Sequence, residues 1–210
     1  MSELPRSREV TKRETRDALL RAGIEEFAER GFDVPSLDAI CARAGKTRGA
    51  FYVHFRDRDD FVVAVMERVL GDFLDAIIAT GDRARDLEET VHRFAGAVEA
   101  QLSGGDALLG ALGPTPADVP LHRLLEASAR SPLLLERFAA LLEEAIERVT
   151  AAAQAAQSAH TLRAGVDVEQ LGALLVALAL GATCALELGV VVDPARASET
   201  LLALLARESE

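Results

Sequence analysis

Apolar residues recur through most of the chain at the i, i+3, i+4, i+7 spacing of one buried helix face. Two short patterns, over residues 36–44 and from residue 47 onward, flank a turn at Ala44-Gly45-Lys46. The chain is rich in Ala and Leu and only 4% aromatic, which favours helices over sheets. We therefore predict an all-α fold. The longer stripes predict helices over 10–30, 57–80, 85–102, 117–129, 132–160, 167–188 and 194–207.

Polar residues and a glycine mark the ends of several predicted helices. Ser36, Thr47 and Asp57 occupy N-cap positions, and Gly31 follows the first long helix as a C′ residue does. The stretch 103–120 is rich in Gly and Pro, which indicates either a surface linker or a wall of a cavity.

The segment 36–56 carries the most informative pattern in the sequence. Gly45 supplies the backbone freedom that a tight interhelical turn needs. The second short helix combines small residues with hydrogen-bonding and cationic side chains, which suits entry into a DNA major groove. Plain helix packing gives the same corner, so the pattern alone leaves both interpretations open. One apolar face of the first short helix consists of Leu37, Ile40, Cys41 and Ala44.

A linked set of motifs surrounds this corner, from residue 15 to residue 61. Its members are Thr15-Arg16, Leu19-Leu20, Ala22, Phe27-Ala28-Glu29-Arg30-Gly31-Phe32, Ser36-Leu37-Asp38-Ala39-Ile40, Ala44-Gly45, Thr47-Arg48-Gly49, Phe51-Tyr52, His54-Phe55, Arg58 and Asp60. In residue type and spacing this set resembles the DNA-binding domain of the TetR/AcrR family of bacterial transcriptional regulators. Three positions depart from the family pattern: Lys46 stands for a small apolar residue, Val34-Pro35 for a threonine pair, and Arg58 for a common lysine.

The resemblance implies two domains. An N-terminal three-helix domain with a helix-turn-helix, over 1–56, would bind DNA. A C-terminal helical domain, over 57–210, would bind a ligand and dimerise, and the helix over 57–80 would connect the two. The implied function is that of a transcriptional regulator, most often a repressor, which binds a palindromic operator as a homodimer and is released by a small-molecule effector.

Chemistry and the resemblance together give eight candidate DNA-binding residues. Thr47 and Arg48 are expected at base edges, where Arg48 would contact either guanine O6 and N7 or a phosphate. Gly49 would let the backbone approach the DNA closely. The expected partners of the sugar-phosphate backbone are Ser36, Lys46, Tyr52, His54 and Arg58. A thymine methyl group is a second expected partner of Tyr52.

Segment 171–192 is almost wholly apolar over 22 residues, so a membrane span has to be weighed. Glu187 inside the stretch, its acidic flanks and its many Ala and Gly residues argue against a span. Double burial, with one face on its own domain and one on a second copy, explains the pattern better. The resemblance implies a homodimer through 167–188 and 194–207 rather than a membrane protein.

A pocket for the effector is expected in the C-terminal domain, and its ligand class is not readable from the sequence. Each candidate lining residue is of a type that more often belongs to simple core packing. Cys184 and the isolated histidines are weaker candidates for sensing. The candidate pocket residues are Phe94, Leu108, Leu124, Phe138 and Leu175.

The net charge of −11 argues against nucleic acid until its distribution is considered. Residues 1–60 contain as many basic as acidic residues, and segment 36–56 has four basic residues against one acidic. The two cysteines are far apart in apolar patterns, so we expect no disulfide, no metal site and a cytoplasmic location. We expect no enzyme and no cofactor, because the sequence has no phosphate loop, nucleophile elbow or H-E-x-x-H motif.

Overall fold

The computed structural model describes residues 8–32, 34–78, 87–102, 120–190 and 192–206. Over these ranges the fold is all-α, apart from one isolated bridge between Leu162 and Ala206. The prediction of a helical fold is therefore confirmed. The helices are α1 (Arg8–Arg30), α2 (Leu37–Arg43), α3 (Arg48–Tyr52), α4 (Arg58–Ile77), α5 (Leu87–Leu102), α6 (Leu121–Arg130), α7 (Pro132–Ser158), α8 (Val168–Glu187) and α9 (Pro194–Leu205).

Helix ends follow local chemistry. Backbone N–H groups of Ala39, Ala50 and Asp60 donate to the side chains of Ser36, Thr47 and Asp57, at 3.1, 3.1 and 2.8 Å. These bonds satisfy donors that the first turn of a helix leaves without partners. The caps are thus confirmed. The predicted end of the fourth helix near residue 80, and all of stretch 103–120 except Pro120, lie outside the described residues.

The chain divides into two compact units, Met1–Val69 with Asp118–Arg137, and Leu70–Ala117 with Phe138–Glu210. The first unit includes the first part of α4, to Val69, and all of α6, which packs on the N-terminal helices. Arg123 of α6 donates to the carbonyls of Phe27 and Ala28, at 3.2 and 2.8 Å. A guanidinium is favourable there, since the last carbonyls of a helix carry partial negative charge.

Aromatic side chains form the core of the first unit. Phe27, Phe51 and Phe61 are fully buried, and Phe61 has ring-centroid distances of 6.0 Å to Phe27 and 5.2 Å to Phe51. Gly23 makes room for this cluster, because a Cβ at residue 23 would lie 2.5 Å from Phe61 Cζ. Helices α1 and α4 therefore approach closely at this point.

The second unit has smaller apolar clusters. Ala153, Ala156 and Leu171 belong to one of them, which joins α7 to α8. Arg148 joins α7 to the end of α4. Its guanidinium donates to the carbonyl of Ile78 at 2.9 Å and to Asp75 at 2.9 Å.

Helix α8 stands out within the second unit by its exposed apolar surface. By length and composition alone it could cross a membrane, and only 11% of its most apolar stretch is buried within the chain. Leu174 and Leu178 are 65% and 55% exposed, and Leu204 of α9 is 65% exposed. The two C-terminal helices therefore present an apolar face that the chain itself leaves uncovered.

Candidate DNA-binding surface

The turn between α2 and α3 is fixed by backbone hydrogen bonds. The N–H of Lys46 donates to the carbonyl of Cys41 at 2.8 Å, and Gly45 adopts a positive φ of 61°. An L-residue with a Cβ is disfavoured in that conformation, which explains the glycine. Lys46, the next residue along the chain, is half-buried.

Helix α3 is anchored on one side and exposed on the other. Phe51 is fully buried, and its ring lies 5.2 Å from that of Phe55. Arg48, Gly49 and Tyr52 are exposed, and Tyr52 keeps 51% of its surface accessible. The short helix therefore presents polar side chains to solvent from a rigid base. Thr47 lies at its start, where the hydroxyl caps the helix.

Arg48 makes an ion pair that the sequence did not suggest. Its Nη1 lies 3.4 Å from Oδ2 of Asp38 on α2, and both side chains are exposed. A hydrogen bond with Tyr52, and then the charge of Asp38, raise the pKa of Arg48. Arg48 is therefore a cation with polar neighbours on two sides.

A second polar group lies where α1 meets the end of α3. The guanidinium of Arg16 lies 5.4 Å from the centroid of the Phe55 ring, a cation–π arrangement. Burial lowers the pKa of the half-buried His54, and the charges of Lys12 and Arg16 lower it further. All three effects favour the neutral form of the His54 imidazole. Lys12 was missed by the sequence interpretation, although its spacing of four residues from Arg16 places both on one face of α1.

The other predicted DNA-backbone residues lie at the edges of this surface. Ser36 is exposed and caps α2. Arg58 is half-buried and donates a hydrogen bond to the carbonyl of Phe32. Part of the Arg58 guanidinium is thus used to join the start of α4 to the chain after α1. The contact of Arg58 with a phosphate stays a prediction.

Three of the four basic residues in segment 36–56 are paired with carboxylates: Arg48 with Asp38 of the same segment, and Arg43 and Arg56 with carboxylates outside it. Arg43 donates to Glu26 at 2.7 Å and to Glu29 at 2.8 Å, and these bonds, with Glu29 contributing most, raise the pKa of Arg43. Arg56 pairs with Asp60 at 3.1 Å. A count of charges along the sequence therefore overstates the local positive field, because carboxylates from α1 and α4 neutralise part of it.

The second unit contains a half-open apolar cavity of about 320 Å³ between α5, α8 and α9. Among the described side chains that line it, only Ser198 is polar, and its hydroxyl already donates to the carbonyl of Ala195 at 2.7 Å. The walls include Val91, Phe94, Val98, Leu186, Val192 and Leu201. Such a surface fits an uncharged, apolar molecule.

The predicted pocket residues are dispersed. Phe94 lines the cavity. Leu124 and Phe138 are buried, and Leu175 packs against the apolar clusters of the second unit. Leu108 lies outside the described residues. Over the described ranges, no group of three or more His, Cys, Asp or Glu side chains is placed to hold a metal ion.

Comparison with known proteins defines the class. The family model "Bacterial regulatory proteins, tetR family" matches residues 19–65, and the model "Tetracyclin repressor-like, C-terminal domain" matches residues 121–201. Together they cover more than half of the chain, and the first includes the whole α2-turn-α3 corner. The chain belongs to the TetR family of DNA-binding transcriptional regulators, a family of regulators rather than enzymes.

Individual relatives agree with this assignment. The chain is 44% identical over 55 residues to the repressor BepR of Brucella suis, covering 26% of each chain. It is 28% identical over 103 residues to the activator FasR of Mycolicibacterium smegmatis, covering 47% of each. The matches thus span about a quarter to a half of these curated relatives. A solved SmeT–triclosan complex is 26% identical, with a TM-score of 0.69 and 93% of both chains covered.

Proposed function

We propose that the chain is a cytoplasmic repressor that binds a palindromic DNA operator as a homodimer and is released by a small apolar effector. The observation that carries the proposal is that the chain has both features at once. The short helix α3 presents polar side chains from a buried base, and α8 and α9 present an apolar face that the described residues leave uncovered. Repression is supported by BepR, which is named a repressor, and by SmeT, titled the repressor of a multidrug efflux pump in Stenotrophomonas maltophilia.

Helix α3 supplies the base-reading groups. Thr47, Arg48 and Tyr52 are exposed, while Phe51 holds the helix against the core. The backbone of Gly49 is open as well, because a Cβ there would have only Thr47 Oγ1 nearby, at 3.7 Å. A duplex can therefore approach the helix closely. Lys46, His54 and the basic residues of α1 surround this surface and suit phosphate contacts.

A single α3 is too short for a specific site. One recognition helix contacts a few base pairs, and each good base contact contributes about 1–3 kcal/mol of discrimination. A two-fold dimer presents two such helices to two half-sites and roughly doubles that discrimination. The exposed stripe of Leu174, Leu178, Gly181 and Leu204 supports dimerisation, because a second copy covers apolar surface that one chain leaves in water.

The cavity supports the effector part of the proposal. Its volume and its apolar walls suit a neutral hydrophobic molecule, and a charged ligand would find no side-chain counter-charge among the lining residues. Release of DNA requires that this molecule bind the form that does not bind DNA more tightly than the DNA-binding form. Triclosan in the SmeT complex is a precedent for a small molecule on this fold.

In vitro selection from random duplexes tests the DNA-binding part. The purified chain should enrich an inverted repeat, and its affinity should fall steeply as salt rises. Tyr52→Ala should weaken binding. Tyr52→Phe keeps the packing of the ring and lacks only the hydroxyl group, so the two variants separate the contribution of the ring to binding from that of the hydroxyl group. Absence of any enriched sequence at low salt, from a folded and dimeric sample, would refute the proposal. Recovery of the chain with floated lipid vesicles would instead assign α8 to a membrane.

A further inference from the structure

Asp38 is the one acidic residue within segment 36–56, and it lies on the surface that we propose faces DNA. It occupies the first turn of α2, and 68% of its side chain is exposed. Its Oδ2 lies 3.4 Å from Nη1 of Arg48. A carboxylate at that position opposes the approach of phosphates, so it lowers the affinity for DNA of every sequence.

The carboxylate also limits where the Arg48 guanidinium goes. An arginine side chain loses considerable rotamer freedom when it binds, and a partner that orders it beforehand reduces this loss. The pair with Asp38 uses one Nη1–H, and the hydrogen bond with Tyr52 uses another N–H group. A guanidinium has five N–H groups, so the others can bind a ligand. A planar fork with two parallel donors is the group that binds guanine O6 and N7 together.

A phosphate contact for Arg48 is less compatible with this arrangement. A phosphate that approached the same guanidinium would come close to the Asp38 carboxylate, and two anions would then share one cation. Guanine O6 and N7 are neutral acceptors, so they meet no such repulsion. The acidic neighbour therefore favours a base contact over a backbone contact at this arginine.

We propose that Asp38 determines specificity by positioning Arg48 on a guanine in each half-site of the operator. This inference rests on the proposed DNA-binding function and extends it to one residue pair and one base. Asp38 acts through Arg48 and is a positioning residue, and Arg48 is the residue that contacts the base.

The test begins with the operator selected by the wild-type chain. Affinity is then compared between this operator and a copy in which the guanine at one position of both half-sites is replaced by adenine. The wild-type chain should discriminate by about 5- to 150-fold per half-site, the range of a good bidentate contact. Asp38→Ala should reduce this discrimination below about threefold and should raise the affinity for unrelated DNA. Asp38→Glu, which keeps the carboxylate, should restore part of the preference.

A matched control separates positioning from simple loss of negative charge. Asp59 is exposed and occupies the first turn of α4, as Asp38 does in α2, so Asp59→Ala removes the same charge from an equivalent helix position. It should leave the guanine preference unchanged. In a double-mutant cycle, Asp38→Ala should have no further effect on that preference once Arg48 is Ala. Thermal melts verify that every variant is folded, and Asp38→Asn replaces Asp38→Ala if the latter is not.

Different outcomes overturn different claims. Two results would overturn the positioning role of Asp38. One is a full guanine preference in Asp38→Ala. The other is an effect of Asp38→Ala on the preference that persists when Arg48 is already Ala. A preference that survives in Arg48→Ala would remove Arg48 from the base. Failure of the wild-type chain to select any sequence would refute the proposed function itself, before Asp38 is reached.

Discussion

Gly23→Ala perturbs the closest approach between α1 and α4. The new Cβ would lie 2.5 Å from Phe61 Cζ, 2.8 Å from Phe61 Cε1 and 3.1 Å from Val65 Cγ2. Phe61 is fully buried among other rings, so it has little freedom to move away. Overpacking of this kind costs about 1–3 kcal/mol, and the better helix propensity of Ala offsets about 1 kcal/mol. The expected net loss of stability is about 0–2 kcal/mol.

Gly71→Ala is the matched control, because Gly71 is also inside a helix and its Cβ would meet nothing within 4 Å. It should gain about 0.8–1 kcal/mol from helix propensity alone. Both variants share this gain, so they should differ by the overpacking cost of about 1–3 kcal/mol. At roughly 2–4 °C per kcal/mol, their melting temperatures should differ by about 2–12 °C, measured by circular dichroism. Equal melting temperatures, or a more stable Gly23→Ala, would refute the packing argument.

Three further predictions concern charge, association and pH. Lys46→Ala should weaken binding to all duplexes alike and lower the salt slope by about 0.9 for each phosphate that the side chain neutralises; an unchanged slope would remove Lys46 from the phosphate-binding residues. Leu178→Glu should yield monomers on a sizing column, while Leu135→Glu, which alters an equally exposed leucine of α7, should leave the dimer intact. The pKa of His54 is lower in the folded chain than in the unfolded chain, so the unfolded chain binds the proton first as the pH falls. The free energy of unfolding therefore decreases as the pH falls through the range in which histidine titrates. His54→Gln should reduce this loss in pH-dependent melts, and an unchanged loss would contradict the assignment.

Features set by local chemistry could be predicted from the sequence. The side chains of Ser36 and Thr47 bond to N–H groups three residues ahead, so both caps depend on a few adjacent residues. Gly45 is likewise explained by the single backbone conformation of its turn. For the same reason the segment that forms the α2-turn-α3 corner was identified correctly.

Features set by distant residues could not be predicted. Arg123 bonds to the end of α1 across 95 residues of sequence, and no periodic pattern encodes that interaction. Arg43 is one of the four basic residues in segment 36–56, yet carboxylates of α1 neutralise the charge of Arg43. Asp38 and Arg48 meet only because the turn brings α2 and α3 together. The number of charges can be counted in the sequence, but predicting which of them pair requires the tertiary structure.

In the proposed dimer, two copies of α3, held together through α8 and α9, read two half-sites on one face of the duplex. Inserting about five base pairs between the selected half-sites rotates one of them by about half a helical turn. Affinity for this altered operator should fall toward that for unrelated DNA at the same salt concentration. Undiminished affinity for the altered operator would refute the proposed arrangement.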